Sequence, residues 1–277
     1  MSWLTSHETD KSVLRDINVV SKQLRGDTFQ LRSSLGKLIG MSVSAEKQTH
    51  LTGHKWHISQ LEFSPGGLHL ASSSWDKTVR IWDLSTLESV FILRHHRSPV
   101  TCLSWQPGAT STGCLGVLAS GSADSTVALW RGETGKLLQS LSPHKGWVLG
   151  TSFSSDGTLL ASAAWDKTVC LSDARTGQML QKLAGHTTGV WTCAFQRSVG
   201  SGLLCSGADD GSLRIWDTRT ATSVMSLVGG HDDSVKCCAW SPDGEYIASG
   251  GADSKVRITN FLSPLAGEIT VTYDRLL

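Results

Sequence analysis

Between residues 58 and 92 the apolar positions alternate with polar ones: Ile58, Leu61 and Phe63 with small phase defects, then Leu68 and Leu70, Val79 and Ile81, Val90 and Ile92. Short runs of this period predict β-strands. They are broken by Ser64-Pro65-Gly66-Gly67, and later copies by Asp156-Gly157 and Ser241-Pro242-Asp243-Gly244, residues that supply the restricted and positive backbone angles of hairpin turns. Each unit therefore reads as four strands joined by hairpins.

The unit recurs. Five histidines, His54, His96, His144, His186 and His231, are each followed by a serine and then a turn aspartate at a nearly fixed offset: Ser72/Asp76, Ser120/Asp124, Ser162/Asp166, Ser206/Asp210 and Ser249/Asp253. Each set closes on Trp82, Trp130, Ser172, Trp216 or Thr259, in steps of 48, 42, 44 and 43 residues, a period that marks four-stranded propeller blades rather than helical solenoids. An insertion, Gly108 to Gly116, accounts for the longest step and reads as a surface loop.

The chain has 277 residues, enough for one repeat domain with a large core and tight for two independent domains. Its net charge of +1 argues against a dedicated nucleic-acid binder, so nucleic acid is not expected as a partner. Seven cysteines, Cys102, Cys114, Cys170, Cys193, Cys205, Cys237 and Cys238, are odd in number, lack metal-ligand spacing and read as buried reduced thiols. The amino terminus has no secretory pattern and no stretch approaches a membrane span, which leads to the expectation of a cytoplasmic or nuclear protein without membrane contact. No phosphate-cradling loop, zinc spacing or nucleophile elbow is present, so neither an enzyme nor a cofactor or metal is expected.

Gly53-His54, the stretch Ala71 to Asp83 ending Val79-Arg80-Ile81-Trp82-Asp83, and the copies ending at Trp130 and at Ile215-Trp216-Asp217 resemble the WD40-repeat family over roughly residues 50 to 260. The resemblance implies an all-β propeller of four-stranded blades, with five clear repeats. It also implies that Trp, Ser, His and Asp form a structural hydrogen-bond chain in each blade. A catalytic Ser-His-Asp triad uses the same residue types, but five equivalent active sites in one chain argue against that reading. Ser172 and Thr259 stand where the third and fifth repeats should carry Trp, and Arg131 and Asn260 replace the closing Asp, which puts those blades' local stability in doubt.

Two segments compete to complete the ring. Gln48 to Leu51 would be an outer strand with no complete blade ahead of it, while Glu268 to Tyr273 looks like the fifth repeat's own outer strand. A degenerate amino-terminal blade resolves this, with first, second and third strands at Asp16 to Val20, Thr28 to Leu31 and Lys37 to Met41. The alternative for part of it is an amphipathic helix over Lys11 to Leu24, since Val13, Ile17, Val20 and Leu24 share one helical face. Residues 1–46 are thus an amino-terminal segment, blade or helix, and 47–277 the propeller.

Trp82, Trp130 and Trp216 define repeats, Trp105 and Trp240 share a core position with Phe63, Phe153 and Phe195, and Trp191 reads as first-strand packing. The remaining candidates are Trp75 and Trp165, each directly before the turn Asp, and Trp56 and Trp147 near the start of their repeats. The resemblance places both loops on one upper face. His57 and Asp209 read as equivalent ring positions beside them, and Lys77 and Lys167, with Lys55 and Lys145, add positive charge. Aromatic anchors with flanking cations suit a protein or peptide partner held within a multiprotein complex. A second reading rests on Trp216-Asp217-Thr218-Arg219, which matches a signature of substrate receptors that dock on the propeller adaptor of a cullin-type ubiquitin ligase, here through Asp217 and Arg219. Ser172 to Arg175 is a degenerate copy.

Overall fold

The computed structural model describes residues 28–30, 50–108, 115–198, 200–261 and 269–272. Twenty of its strands form five antiparallel four-stranded sheets, each built from consecutive strands in chain order. Blade 1 comprises Ile58–Phe63, His69–Ser74, Thr78–Asp83 and Glu88–Arg94, and blade 2 comprises Val100–Trp105, Val117–Ser122, Val127–Arg131 and Lys136–Leu141. Blade 3 comprises Val148–Phe153, Leu159–Ala164, Thr168–Asp173 and Met179–Ala184. Blade 4 comprises Val190–Phe195, Leu203–Ala208, Leu213–Asp217 and Thr222–Leu227; blade 5 comprises Val235–Trp240, Tyr246–Gly251, Lys255–Asn260 and Ile269–Thr272. The last of these is the fifth repeat's own outer strand, paired Val256↔Val271 with its third.

The core lies between blades rather than within them. Val79 and Ile81 of blade 1 cluster with Val100, Leu103, Trp105 and Leu118 of blade 2, and Val169 and Leu171 of blade 3 with Val190, Cys193, Phe195 and Leu204 of blade 4. Close approach explains the small residues of the second strands. A Cβ on Gly207 would stand 2.4 Å from Val235 Cγ1, and one on Gly121 would stand 2.6 Å from Val148 Cγ1, so only glycine lets the next inner strand approach so closely.

Every inner strand shifts register after its first residue, leaving Ser59, Thr101, Leu149, Trp191 and Lys236 outside the ladder as β-bulges. A bulge re-aims the side chain it carries. Ser59 Oγ donates to the Val100 carbonyl at 2.7 Å, tying blade 1 to blade 2.

The two ends of the array differ. His50–Thr52 pairs directly with Thr28–Gln30 in a two-stranded sheet, and the buried Leu51 covers Leu70 and Trp82 of blade 1 as an outer strand of a preceding blade would. Thr28–Gln30 thus stands beside the outer strand, one position outward from the second-strand place expected from sequence. The other strands of that blade and the alternative helix lie outside the described residues. At the far end Val256 is 38% exposed, whereas its counterparts Val79, Val127, Val169 and Leu213 are at most 3% exposed, because no described sheet covers that side of blade 5. Cys237 is exposed and Cys238 half-buried on the same blade, which corrects the expectation of uniformly buried thiols; Cys102, Cys170, Cys193 and Cys205 are buried and free.

Candidate functional site

The recurrent His, Ser and Asp meet as hydrogen-bonded chains. In blade 1, Trp82 Nε1 donates to Ser72 Oγ at 2.8 Å, Ser72 Oγ lies 2.7 Å from His54 Nε2, and His54 Nδ1 lies 2.9 Å from Asp76 Oδ2. Blade 2 repeats this through Trp130, Ser120, His96 and Asp124. Blades 3 and 5 keep the Ser162–His144–Asp166 and Ser249–His231–Asp253 parts without an indole. Blade 4 departs in one respect: His186 Nδ1 meets Ser212 Oγ at 3.1 Å, and Asp210 is reached through that hydroxyl.

These are not exposed nucleophiles. All five serines are buried, and in blades 1, 2 and 4 the hydroxyl oxygen also accepts an indole N–H. Burial, only partly opposed by Asp76, Asp124 and Asp166, holds the imidazoles of His54, His96 and His144 below their ordinary value, and burial brings His186 down to about 4. Burial alone would raise the Asp76 carboxyl, but hydrogen bonds from Thr78, the Lys55 amide and His54 outweigh it and hold the group at about 2. A neutral imidazole donating from Nδ1 to a carboxylate is thus the resting arrangement. Asp76→Ala would strand the Lys55 and Thr78 amides and the His54 ring, and thermal melting should show a loss of about 1–3 kcal/mol. An unchanged melting curve would contradict the structural role.

The turn that Asp76 organises also fixes the rim. In all five blades the residue before the turn Asp donates its amide to the loop preceding the inner strand: Trp75 to His57, Ala123 to Pro99, Trp165 to Trp147, Asp209 to Gly189 and Ala252 to Ser234, at 2.8–2.9 Å. Both loops of every blade therefore share one face. This pairing corrects the sequence alignment of His57 with Asp209: Asp209 occupies the place of Trp75 and Trp165, and His57 that of Gly189.

On this face Trp56, Trp75, Trp147 and Trp165 are 45–61% exposed. His57 stands edge-on to Trp75 with ring centroids 5.8 Å apart. Trp165 leans towards blade 4, edge-on to Trp191 at 5.5 Å and against Gly189, where a Cβ would come within 2.8 Å of the indole. Blade 2, with Ala123 and Pro99 at the corresponding places, separates the blade 1 group from the blade 3 group.

Trp191 and Lys236 escaped the sequence reading. As bulge residues both turn to the rim, where Lys236 Nζ sits 3.4 Å from the Trp191 ring centroid and 3.3 Å from Asp209 Oδ1, which also accepts the Trp191 indole N–H. The Asp209 carboxylate is thus already engaged by two neighbours. Lys77 and Lys167 occupy the left-handed turn position, with φ of 69° and 71°, that Gly211 fills in blade 4. A lysine there costs about 1–2 kcal/mol of backbone strain that glycine avoids.

Asp217 and Arg219 lie at the turn between third and outer strands, at the opposite end of the blade. Arg219 Nη2 and Nε donate to the two oxygens of Asp217 at 2.9 and 3.1 Å, while Asp217 also accepts the Arg219 amide. Asp83 and Asp173 cap the same turn in blades 1 and 3, accepting the amides of Ser85 and of Arg175. The motif is therefore part of the repeat's turn chemistry. Among the described residues no group of His, Cys, Asp and Glu is arranged to hold a metal ion, and no helix is long and apolar enough to cross a membrane.

Radially packed four-stranded blades, each braced by a buried Ser–His–Asp chain, define a β-propeller. A model of the fourth β-propeller of WDR90 matches residues 57–201, and a model of the WD domain, G-beta repeat, matches residues 222–260. The chain belongs to the WD40-repeat β-propeller family. Nuclear distribution protein PAC1 of Arthroderma benhamiae is 30% identical over 240 residues, covering 76% of this chain and 51% of that protein. Guanine nucleotide-binding protein subunit beta of Oryza sativa subsp. indica is 28% identical over 231 residues, covering 76% of this chain and 58% of that protein. Apoptotic protease-activating factor 1 of Rattus norvegicus is 30% identical over 208 residues, covering 75% of this chain and 12% of that protein. The chain thus spans no more than 58% of any of these three relatives.

Proposed function

We propose that this chain is a non-catalytic interaction scaffold that holds a protein or peptide segment on the face carrying Trp56, Trp75, Trp147 and Trp165. The observation that carries the reading is four half-exposed indoles on one rigid face, each held by a loop that the Asp turn fixes from beneath. Such rings offer large contact area for little lost conformational freedom, and truncating an anchor of this kind often costs 2 kcal/mol or more of binding. Lys77 and Lys167, each two residues after Trp75 and Trp165 in the same turns, add positive charge to this face and favour a segment with acidic residues. His57 extends the blade 1 group. Asp209 contributes by fixing Trp191 and Lys236 rather than by meeting the partner directly. The rice relative is by name a subunit, which fits a propeller working within an assembly.

The test is affinity capture from cell extract with wild type and a Trp75→Ala/Trp147→Ala/Trp165→Ala variant whose melting is unchanged. Loss of the specific partners from the variant is expected. Equal recovery would remove this face as the site.

Docking on a ubiquitin-ligase adaptor through Asp217 and Arg219 has weaker support. The two side chains satisfy one another, and the aspartate serves the turn as it does in blades 1 and 3.

A further inference from the structure

One place in each second strand is nearly always alanine. Ala71, Ala119, Ala161 and Ala248 each pair with an Ile or Leu of the third strand, and only blade 4 differs, with Cys205 paired to Ile215. These residues face the next blade. Ala71 lies in one buried cluster with Leu103 of blade 2, and Ala161 in one with Cys193 of blade 4. Leu103 and Cys193 each stand opposite a brace serine on their inner strands, and the residue in that place in blade 5 is Cys238, opposite Ser249. The boundary between blades 4 and 5 thus sets a thiol against a thiol where its sister boundaries set alanine against another side chain.

The two sulfurs are 3.3 Å apart, and Cys238 Sγ also stands 3.9 Å from the Cys205 carbonyl oxygen. Bonded disulfide sulfurs are about 2.0 Å apart, so small turns about the two Cα–Cβ bonds would join them. Cys237, the next residue along the strand, points the other way, towards the Gly250 carbonyl. Cys205 is fully buried and Cys238 half-buried, which makes Cys238 the sulfur that an oxidant in solution reaches first. Burial pushes the Cys205 thiol well above its ordinary value and keeps it protonated until its neighbour has reacted.

We infer that Cys205 and Cys238 are a redox modification site, at which a peroxide converts the pair into a disulfide that fastens blade 5 to blade 4. In the first step the Cys238 sulfur attacks hydrogen peroxide and the O–O bond breaks; one oxygen stays as the sulfenic acid and the other leaves as water. In the second the Cys205 sulfur attacks the sulfenic sulfur, the S–O bond breaks, and the hydroxyl leaves as water with the Cys205 proton. Two thiols lose two electrons in all, and one peroxide is reduced to two waters. Contact between the sulfurs makes the second step intramolecular, without diffusion. The bond would join residues 33 apart in sequence at the one described boundary that blade 5 has. It involves none of the rim tryptophans.

The experiment treats the full chain with hydrogen peroxide, blocks remaining thiols and digests with trypsin without reduction. Mass spectrometry should find the Cys205 peptide joined to the peptide that carries Cys237 and Cys238, with two hydrogens lost and full reversal by dithiothreitol. The oxidised chain should melt about 5 °C or more higher than the reduced one, the scale of a disulfide that closes a loop of this length in a domain of this size. Cys205→Ala, which installs the residue of the sister blades, should fold normally and lose both the cross-link and the reversible rise in melting temperature. Cys238→Ser should lose them too, whereas Cys237→Ser should keep both. A bond from Cys205 to Cys237, pairing of Cys238 with Cys193, oxidation of Cys238 without a cross-link, or a cross-link that leaves melting unchanged would overturn the assignment.

Discussion

Trp82→Ala should lower the unfolding free energy by roughly 3–5 kcal/mol, the range for removing a buried aromatic side chain from a well-packed core. Trp82 is 2% exposed, packed among Leu51, Leu70 and Phe63, and its N–H is spent on Ser72. Two losses therefore add: the ring's burial and the donor on which the serine relies. Chemical denaturation followed by circular dichroism would measure it, and a loss below about 1 kcal/mol would show that the neighbouring strands collapse into the gap.

Acid should destabilise the fold well before its carboxylates titrate. His186 is held at about 4 against an ordinary 6.5, and His54, His96 and His144 are displaced in the same direction, chiefly by burial. The unfolded chain then binds more protons than the folded one below pH 6.5, so stability is full above that value and falls as pH drops towards 4. For His186 alone the shift corresponds to about 3 kcal/mol. Asp76, Asp124 and Asp210, held at about 2 against 3.8, add a second loss below pH 3.8. Melting temperatures across pH 8 to 3 at constant ionic strength should decline from near pH 6.5. A flat profile down to pH 4 would mean that the imidazoles are charged in the folded protein.

What could be read from sequence and what could not divides along the physics of each residue. The brace residues were legible because a buried donor must meet its acceptor at a spacing that the hairpin fixes, so His54, Ser72, Asp76 and Trp82 return in register. Trp75 and Trp165 were legible as rim residues for the same reason, being adjacent to the turn aspartate. Trp191 was not, because alternation along a strand assigns it to an interior face and only the bulge turns it outward. Asp209 was aligned with the wrong loop although it directly precedes Asp210 as Trp75 precedes Asp76, and the hydrogen bond from its amide to Gly189 fixes its place.

Since each apolar cluster is shared by two adjacent sheets, a blade owes its order to its neighbours more than to itself. Cohesion then passes link by link along the chain, as in other repeat proteins. The sheet holding Val256 has a described neighbour on one side only. Opening would spread inward from there, so amide protons of the fifth repeat should exchange first while those of the second and third are still shielded.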